Sequence, residues 1–233
     1  HIENIDEIFK AVNNALSKKG ILIIEDPSLL KCLQNVAYDQ FYCEHIYVFS
    51  TLALREILKK FKLEIFDIEN TKTHGGSNRY FIKKVENNFY KINKRVKDEL
   101  KKELRFGLNK YRTYKKFEKK VKLSKQKLLN IFSKLVKKKL TIIGYGATAK
   151  SCTVLNYCNI GNKSINYFYD TTSYKINKYL PGSKILIKEY QKLDRNEIDV
   201  VYLGAWNFKE EIFKKEKAFI KKGGKFITHV PYP

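Results

Sequence analysis

The residues most able to do chemistry lie in one short stretch, Asp39-Gln40-Phe41-Tyr42-Cys43-Glu44-His45-Ile46-Tyr47. Tyr42, Glu44 and His45 bring a phenolic donor, a carboxylate and an imidazole that titrates near neutrality within four positions. That set supplies a donor, an ion partner for the ring and a base for proton abstraction. The stretch follows an apolar run, and α/β proteins carry their ligand sites beyond strand ends.

Two further groups could handle anions. Gly144-x-Gly146-x-x-Ala149 follows the apolar run Leu140-Thr141-Ile142-Ile143 and opens a helical stretch, where free amides and the helix dipole attract phosphate. Lys150 sits in the first turn of that helix, a place where lysine opposes the dipole unless a negative group is near. Asp170 ends the next strand, where a dinucleotide fold carries its ribose-binding acid. Taken alone, this group describes an NAD(P)-dependent oxidoreductase. The third group is His74-Gly75-Gly76-Ser77 with Arg79, a glycine loop that lets backbone approach a ligand and a guanidinium able to clamp phosphate.

The elements that must hold these groups follow from periodicity. Ile5, Ile8, Phe9, Val12 and Leu16 share a helical face, and Gly20 is placed to close that helix as its C-cap. Ile21 to Ile24 is then a buried strand stopped by Asp26-Pro27. A helix over 51–61 with Thr51 as its cap comes next, then strands Leu63 to Ile68 and Arg79 to Val85. From Tyr90 to Lys138 there is one glycine and no proline among many lysines, which predicts one long helix or two. A second α/β unit contains strands Leu140–Ile143, Ile165–Tyr169, Asp199–Leu203 and Lys225–Thr228, with a helix over 208–221.

Composition narrows the classes. The 47 basic residues against 24 acidic ones give a formal charge of +23, but lysine dominates and its runs crowd the helical stretch. No aromatic–basic interleaving marks a nucleic-acid module, so the charge reads as solvated surface whose field favours an anionic small substrate. Cys32, Cys43, Cys152 and Cys158 show neither CxxC spacing nor histidine at metal spacing. They read as reduced thiols, and no metal site is expected among these residues. No apolar run of about 18 residues is available to span a bilayer. A cytoplasmic enzyme with no membrane partner is the expectation. The sequence has no methionine at all and begins at His1, which reads as a cut end of a longer protein.

Placed in order, these motifs resemble one family, the sugar-nucleotide C-methyltransferases that use S-adenosylmethionine. The matching stretches are Glu25-Asp26-Pro27, Tyr42-Cys43-Glu44-His45, His74-Gly75-Gly76-Ser77 with Arg79, and Tyr145-Gly146-Ala147-x-Ala149-Lys150 continuing to Leu155-Asn156-Tyr157. They continue with Asp170, Leu180-Pro181-Gly182, Ala205-Trp206-Asn207-Phe208 with Glu210-Glu211, and Gly223-Gly224-Lys225-Phe226. Cys43 departs from the family pattern, which has histidine there.

The resemblance implies an α/β fold in three parts. Residues 1–90 would be the back half of a class I, Rossmann-like methyltransferase sheet, 91–138 a helical linker, and 139–233 a second Rossmann-like domain that binds the sugar nucleotide. It further implies methylation at C3 of a dTDP-linked 4-keto-deoxysugar: a base takes the proton beside the ketone and the enolate attacks the cofactor's methyl. His45 would be the base, Glu44 its orienter, and Tyr42 and His1 the oxyanion donors. His74, Gly75, Ser77, Arg79, Gly144, Tyr145, Gly146, Ala147, Lys150, Asn156, Asp170, Trp206 and Asn207 would bind the substrate. The main S-adenosylmethionine loop and a zinc-binding module are expected upstream of His1. The oligomeric state stays open.

Overall fold

A computed structural model describes all 233 residues, which divide into two compact units. The first holds residues 1–34 and 43–118, and the second holds 35–42 and 119–233. No helix is long and apolar enough to cross a membrane.

The first unit opens with α1 (Ile5–Ala15), capped by the Asn4 side chain, which accepts the Glu7 N–H while Glu7 reaches back to it. Phe9 is its buried residue. The helix ends at Leu16 in extended backbone, whose N–H bonds Val12 O, so Gly20 is not the C-cap; Gly20 instead closes a turn onto Ser17 O. β1 (Ile21–Pro27) runs through Asp26-Pro27 rather than stopping before them. It is an edge strand, where a proline costs no ladder bond, and for the same reason it is only half-buried rather than buried throughout. The short helix α2 (Leu29–Gln34) follows.

α3 (Thr51–Lys59) is capped one residue earlier than its sequence suggested. Ser50 Oγ accepts the Ala53 N–H at 3.1 Å, leaving Thr51 as the first helical residue. The Thr51 and Leu52 amides are instead taken by the buried Glu103 carboxylate at 2.7 and 2.9 Å, a negative charge at the helix's positive end. β2 (Leu63–Thr71) and β3 (Ser77–Lys84) complete an antiparallel sheet of order β1-β3-β2. The last strand thus inserts between the first two, and Phe9, Leu54, Leu58, Leu63, Ile65 and Ile82 pack as one core over it.

The lysine-rich stretch forms two helices, α4 (Lys94–Phe106) and α5 (Tyr111–Lys137). Gly107 separates them in the left-handed conformation (φ 87°), its N–H returning to Glu103 O and Leu104 O.

The second unit is a parallel sheet of order β6-β5-β4-β7-β8. β4 (Ile142–Tyr145) leads through a glycine turn into α6 (Ala149–Cys158); β5 (Phe168–Asp170) and β6 (Ile187–Glu189) lie to one side. β7 (Val200–Leu203) and β8 (Lys225–Ile227) lie to the other, so the strand order reverses between β4 and β7. Ile143, Tyr169, Ile198, Val201 and Phe219 form its core. The single helix expected over 208–221 is two, α7 (Lys209–Lys215) and α8 (Lys217–Lys221). The break falls at Glu216, whose buried carboxylate accepts the Tyr190 hydroxyl at 2.7 Å.

Candidate functional site

In the first unit, the stretch after Tyr42 has no regular structure, with a turn at Cys43-Glu44. It is held at its far end, where Phe49 O accepts the Leu29 N–H and Ser50 caps α3. Tyr47 stacks on Phe49 and donates to Glu3 O, drawing the loop onto the amino-terminal residues. As a result His1 and His45 stand with ring centroids 5.4 Å apart. His45 is half-buried and Glu44 exposed. Beside this loop, burial pushes the Asp26 carboxyl at the end of β1 up to about 6, partly countered by the Phe49 N–H.

The His74 loop is a 3-10 turn. His74, Gly75 and Gly76 all take positive φ (52°, 87° and 123°), which explains the paired glycines. His74 is exposed, and Ser77, buried, donates its hydroxyl to Thr73 O at 3.0 Å. Arg79 is paired across the strands with Glu25: its Nε and a terminal nitrogen lie 2.9 and 2.7 Å from Glu25 Oε2. Thr73 and Thr71 donate to the same carboxylate, and these bonds, with the Arg79 charge, hold Glu25 below the usual range.

In the second unit, Tyr145, Gly146 and Asp170 line a cleft of about 420 Å³ at the carboxyl ends of the parallel strands. Tyr169, Thr172, Lys175, Tyr190, Phe208 and Lys215 complete most of its wall. It opens where the strand order reverses, the place where open α/β sheets take ligands. Gly144 is needed here because a Cβ would meet the Phe168 ring at 2.3 Å, and Gly146 because φ is +86°.

The glycine turn is closed on itself, however. Gly146 N–H bonds Tyr169 O, Ala147 N–H bonds Asp170 Oδ2 at 2.8 Å, and Thr148 N–H bonds Gly146 O. Asp170 also accepts the Thr172 N–H and pairs with Lys175 at 3.7 Å. Burial opposes its charge, but these donors hold it low. Asp170 is thus engaged by two backbone amides and a lysine. The oxidoreductase reading of this turn therefore has no support in the fold.

Lys150 and Trp206 come together, the ammonium 5.6 Å from the indole ring centre. Asn156 donates to Pro181 O at 3.1 Å and stands against Gly182, bracing the Leu180-Pro181-Gly182 turn. Asn207, half-buried, lies in the 3-10 turn after Ala205.

Sequence reasoning gave no role to Asp39 and did not single out His229. Both are fully buried in the second unit. Asp39 Oδ2 accepts the Trp206 indole N–H at 2.6 Å and lies 3.2 Å from His229 Nε2, while His229 Nδ1 meets the Tyr202 hydroxyl at 3.1 Å. Burial works against the Asp39 charge, but His229, the indole and the Lys150 charge outweigh it and keep the carboxyl below its usual range. Asp39 opens the stretch that carries Tyr42 and His45; His229 has no signal of spacing or neighbours. No group of three or more His, Cys, Asp or Glu side chains converges as a metal site.

Residues 72–231 match the family model of the C-methyltransferase C-terminal domain. Over all 233 residues the chain is 30% identical to C-methyltransferase NovU of Streptomyces niveus, covering 55% of that protein. The chain thus spans about half the length of the curated relative it matches. The matched region runs from the His74 turn through the whole parallel sheet, and on that extent the chain belongs to the C-methyltransferase family, carrying its C-terminal domain.

Proposed function

We propose that this chain is the substrate-handling part of an S-adenosylmethionine-dependent C-methyltransferase acting on a nucleotide-linked 4-keto-deoxysugar, with a dTDP-sugar as the expected form. The observation that carries this reading is the approach of His1 to His45, which follows Glu44 in its loop, in a chain similar along its whole length to a C-methyltransferase.

The ketone at C4 acidifies the neighbouring carbon, and His45, half-buried and short of full solvation, removes that proton. Glu44, next in the chain, favours the imidazolium that forms. Tyr42 and His1 supply hydrogen bonds to the oxyanion of the enolate, where charge develops. S-adenosylmethionine supplies the electrophilic methyl group. The first unit's sheet is antiparallel and has no glycine turn leading from a strand into a helix, so the residues present do not build that cofactor's cradle. No step is assigned to this chain through it.

The cleft beside Tyr145, Gly146 and Asp170 takes the sugar nucleotide, with Gly144 and Ala147 flanking those residues in the strand and turn. Its lining places Lys175 and Lys215 beside Asp170 and Glu211, and Tyr145, Tyr169 and Tyr190 offer flat apolar faces. Lys150, Asn156, Trp206 and Asn207 support the elements around it. In the first unit, the His74-Gly75 backbone with Ser77 and Arg79 presents the second binding surface, in which Arg79 is pre-set by Glu25.

The test is turnover of a dTDP-4-keto-deoxysugar by the whole enzyme, read as one added methyl by mass and its position by NMR. Methylation beside the ketone, lost in His45→Ala together with solvent exchange of the C3 proton, is expected. Unchanged turnover in His45→Ala would remove the base assignment.

A further inference from the structure

The Asp39 cluster is not explained by packing alone. Residues 35–42 belong to the second unit although the chain on either side belongs to the first. The 3-10 turn Tyr38–Gln40 packs on α6, and its three residues are all buried. At its centre is an anion with no exposure, bonded to an indole N–H 167 residues away and 3.2 Å from an imidazole nitrogen whose ring's other nitrogen is held by Tyr202. Apolar residues of similar size would bury as well at less desolvation cost. A buried charge facing an indole N–H and an imidazole instead selects one position of the turn. Phe41 closes the turn by donating to Tyr38 O, and Tyr42 is the next residue.

We propose that Asp39 is a positioning residue for methyl transfer: locked as an anion by Trp206 and His229, it fixes the 38–41 turn and thereby places the Tyr42 hydroxyl. This rests on the reading of Tyr42 as an oxyanion donor. Ala37 and Val230, both buried, pack with Trp206 beside the lock. Because Tyr42 acts where charge develops in the transition state, loosening the turn should weaken kcat and leave substrate binding nearly intact.

The experiment is a double-mutant cycle in the whole enzyme with Asp39→Asn and Tyr42→Phe. Asparagine keeps the shape and still accepts the indole N–H but removes the charge. Asp39→Asn is expected to lower kcat about tenfold with KM changed less than about twofold. In the Tyr42→Phe background the same change should add little, because it acts through the missing hydroxyl. Independent, fully additive losses, or an unchanged kcat in Asp39→Asn, would overturn the proposal while leaving Tyr42's own role standing. A Tyr42→Phe enzyme with unchanged kcat would remove the reading beneath it, and the proposal with it. If Asp39→Asn does not fold, Tyr202→Phe takes its place. It frees His229 Nδ1 without touching Asp39, and the cycle is read the same way: kcat several-fold lower and non-additive, or the proposal fails.

Discussion

The Asp39 carboxylate accepts the indole N–H of Trp206 at 2.6 Å, joining residues 167 positions apart in a core that excludes water from both. Trp206 is the only tryptophan in the chain, so its fluorescence reports on this bond directly. Trp206→Phe leaves Asp39 a buried anion short of one donor. We expect a loss of about 2–3 kcal/mol of stability, measured by urea unfolding followed by far-ultraviolet circular dichroism. A loss below about 0.5 kcal/mol would show that the bond contributes nothing net.

The same carboxylate sets an acid dependence. Its folded pKa is depressed relative to the unfolded chain, so its stabilisation is present above the unfolded value of about 4 and is lost as pH falls through the lower folded value. Trp206 emission should shift in that acid range in the native chain. In Asp39→Asn it should be shifted already at neutral pH, with no further step due to this group. An acid titration of fluorescence for the two proteins decides the point.

Asp26 behaves in the opposite sense. Burial raises its carboxyl to about 6, so the folded state favours the protonated form. Its contribution is full below the unfolded pKa and is lost as pH rises through about 6. Asp26→Asn removes that penalty while its side-chain oxygen still accepts the Phe49 N–H. After allowance for solvent at this half-buried position, the variant should be about 1–2 kcal/mol more stable at pH 7, with the gain gone near pH 4. Equal stability of the two proteins at both pH values would refute the raised titration.

Two glycines of the second unit separate space from backbone. At Gly204 a Cβ would stand 1.9 Å from Ser151 Oγ and 2.7 Å from Gly146 O, at the wall between β7 and the glycine turn. At Gly223 nothing lies within 4 Å, but φ is +86°. Gly204→Ala should cost about 3 kcal/mol or more through overpacking, and Gly223→Ala only about 1 kcal/mol through the left-handed backbone. Thermal unfolding of the two variants gives the ranking, and a reversed order would mean that the turn yields easily.

Most first-unit helices and strands are legible because each is specified by contacts a few residues apart, but the six-residue α2 is too short to show a period and is not. Ile5, Ile8, Phe9 and Val12 mark α1 by spacing alone, and Leu63 to Ile68 mark β2 by their apolar run. The His74-Gly75-Gly76 turn was equally plain, since positive φ leaves a glycine signature. Caps were less so: Ser50 and Thr51 are both good capping residues, and the buried Glu103 amide contacts that leave Thr51 inside the helix come from 52 residues away. The same holds for the break at Glu216, which no local propensity requires and which Tyr190 and Leu193 stabilise from outside the helix.

For the site, the residue types and their order along the chain were readable, and they were enough to mark the family. What those residues do with their charges was not. Strand register sets Arg79 on Glu25, and the Asp170 carboxylate accepts the Ala147 N–H. Most elements, the glycine turns and the set of reactive groups are readable from the sequence because periodicity, glycine placement and side-chain chemistry are local properties; α2, β6 and the division of 208–221 are not. Only the tertiary structure decided that β3 lies between β1 and β2 and that Asp39 meets Trp206 and His229. Hydrogen-bond pairing and buried charge compensation join residues far apart in the chain, and their energies depend on the burial that folding creates.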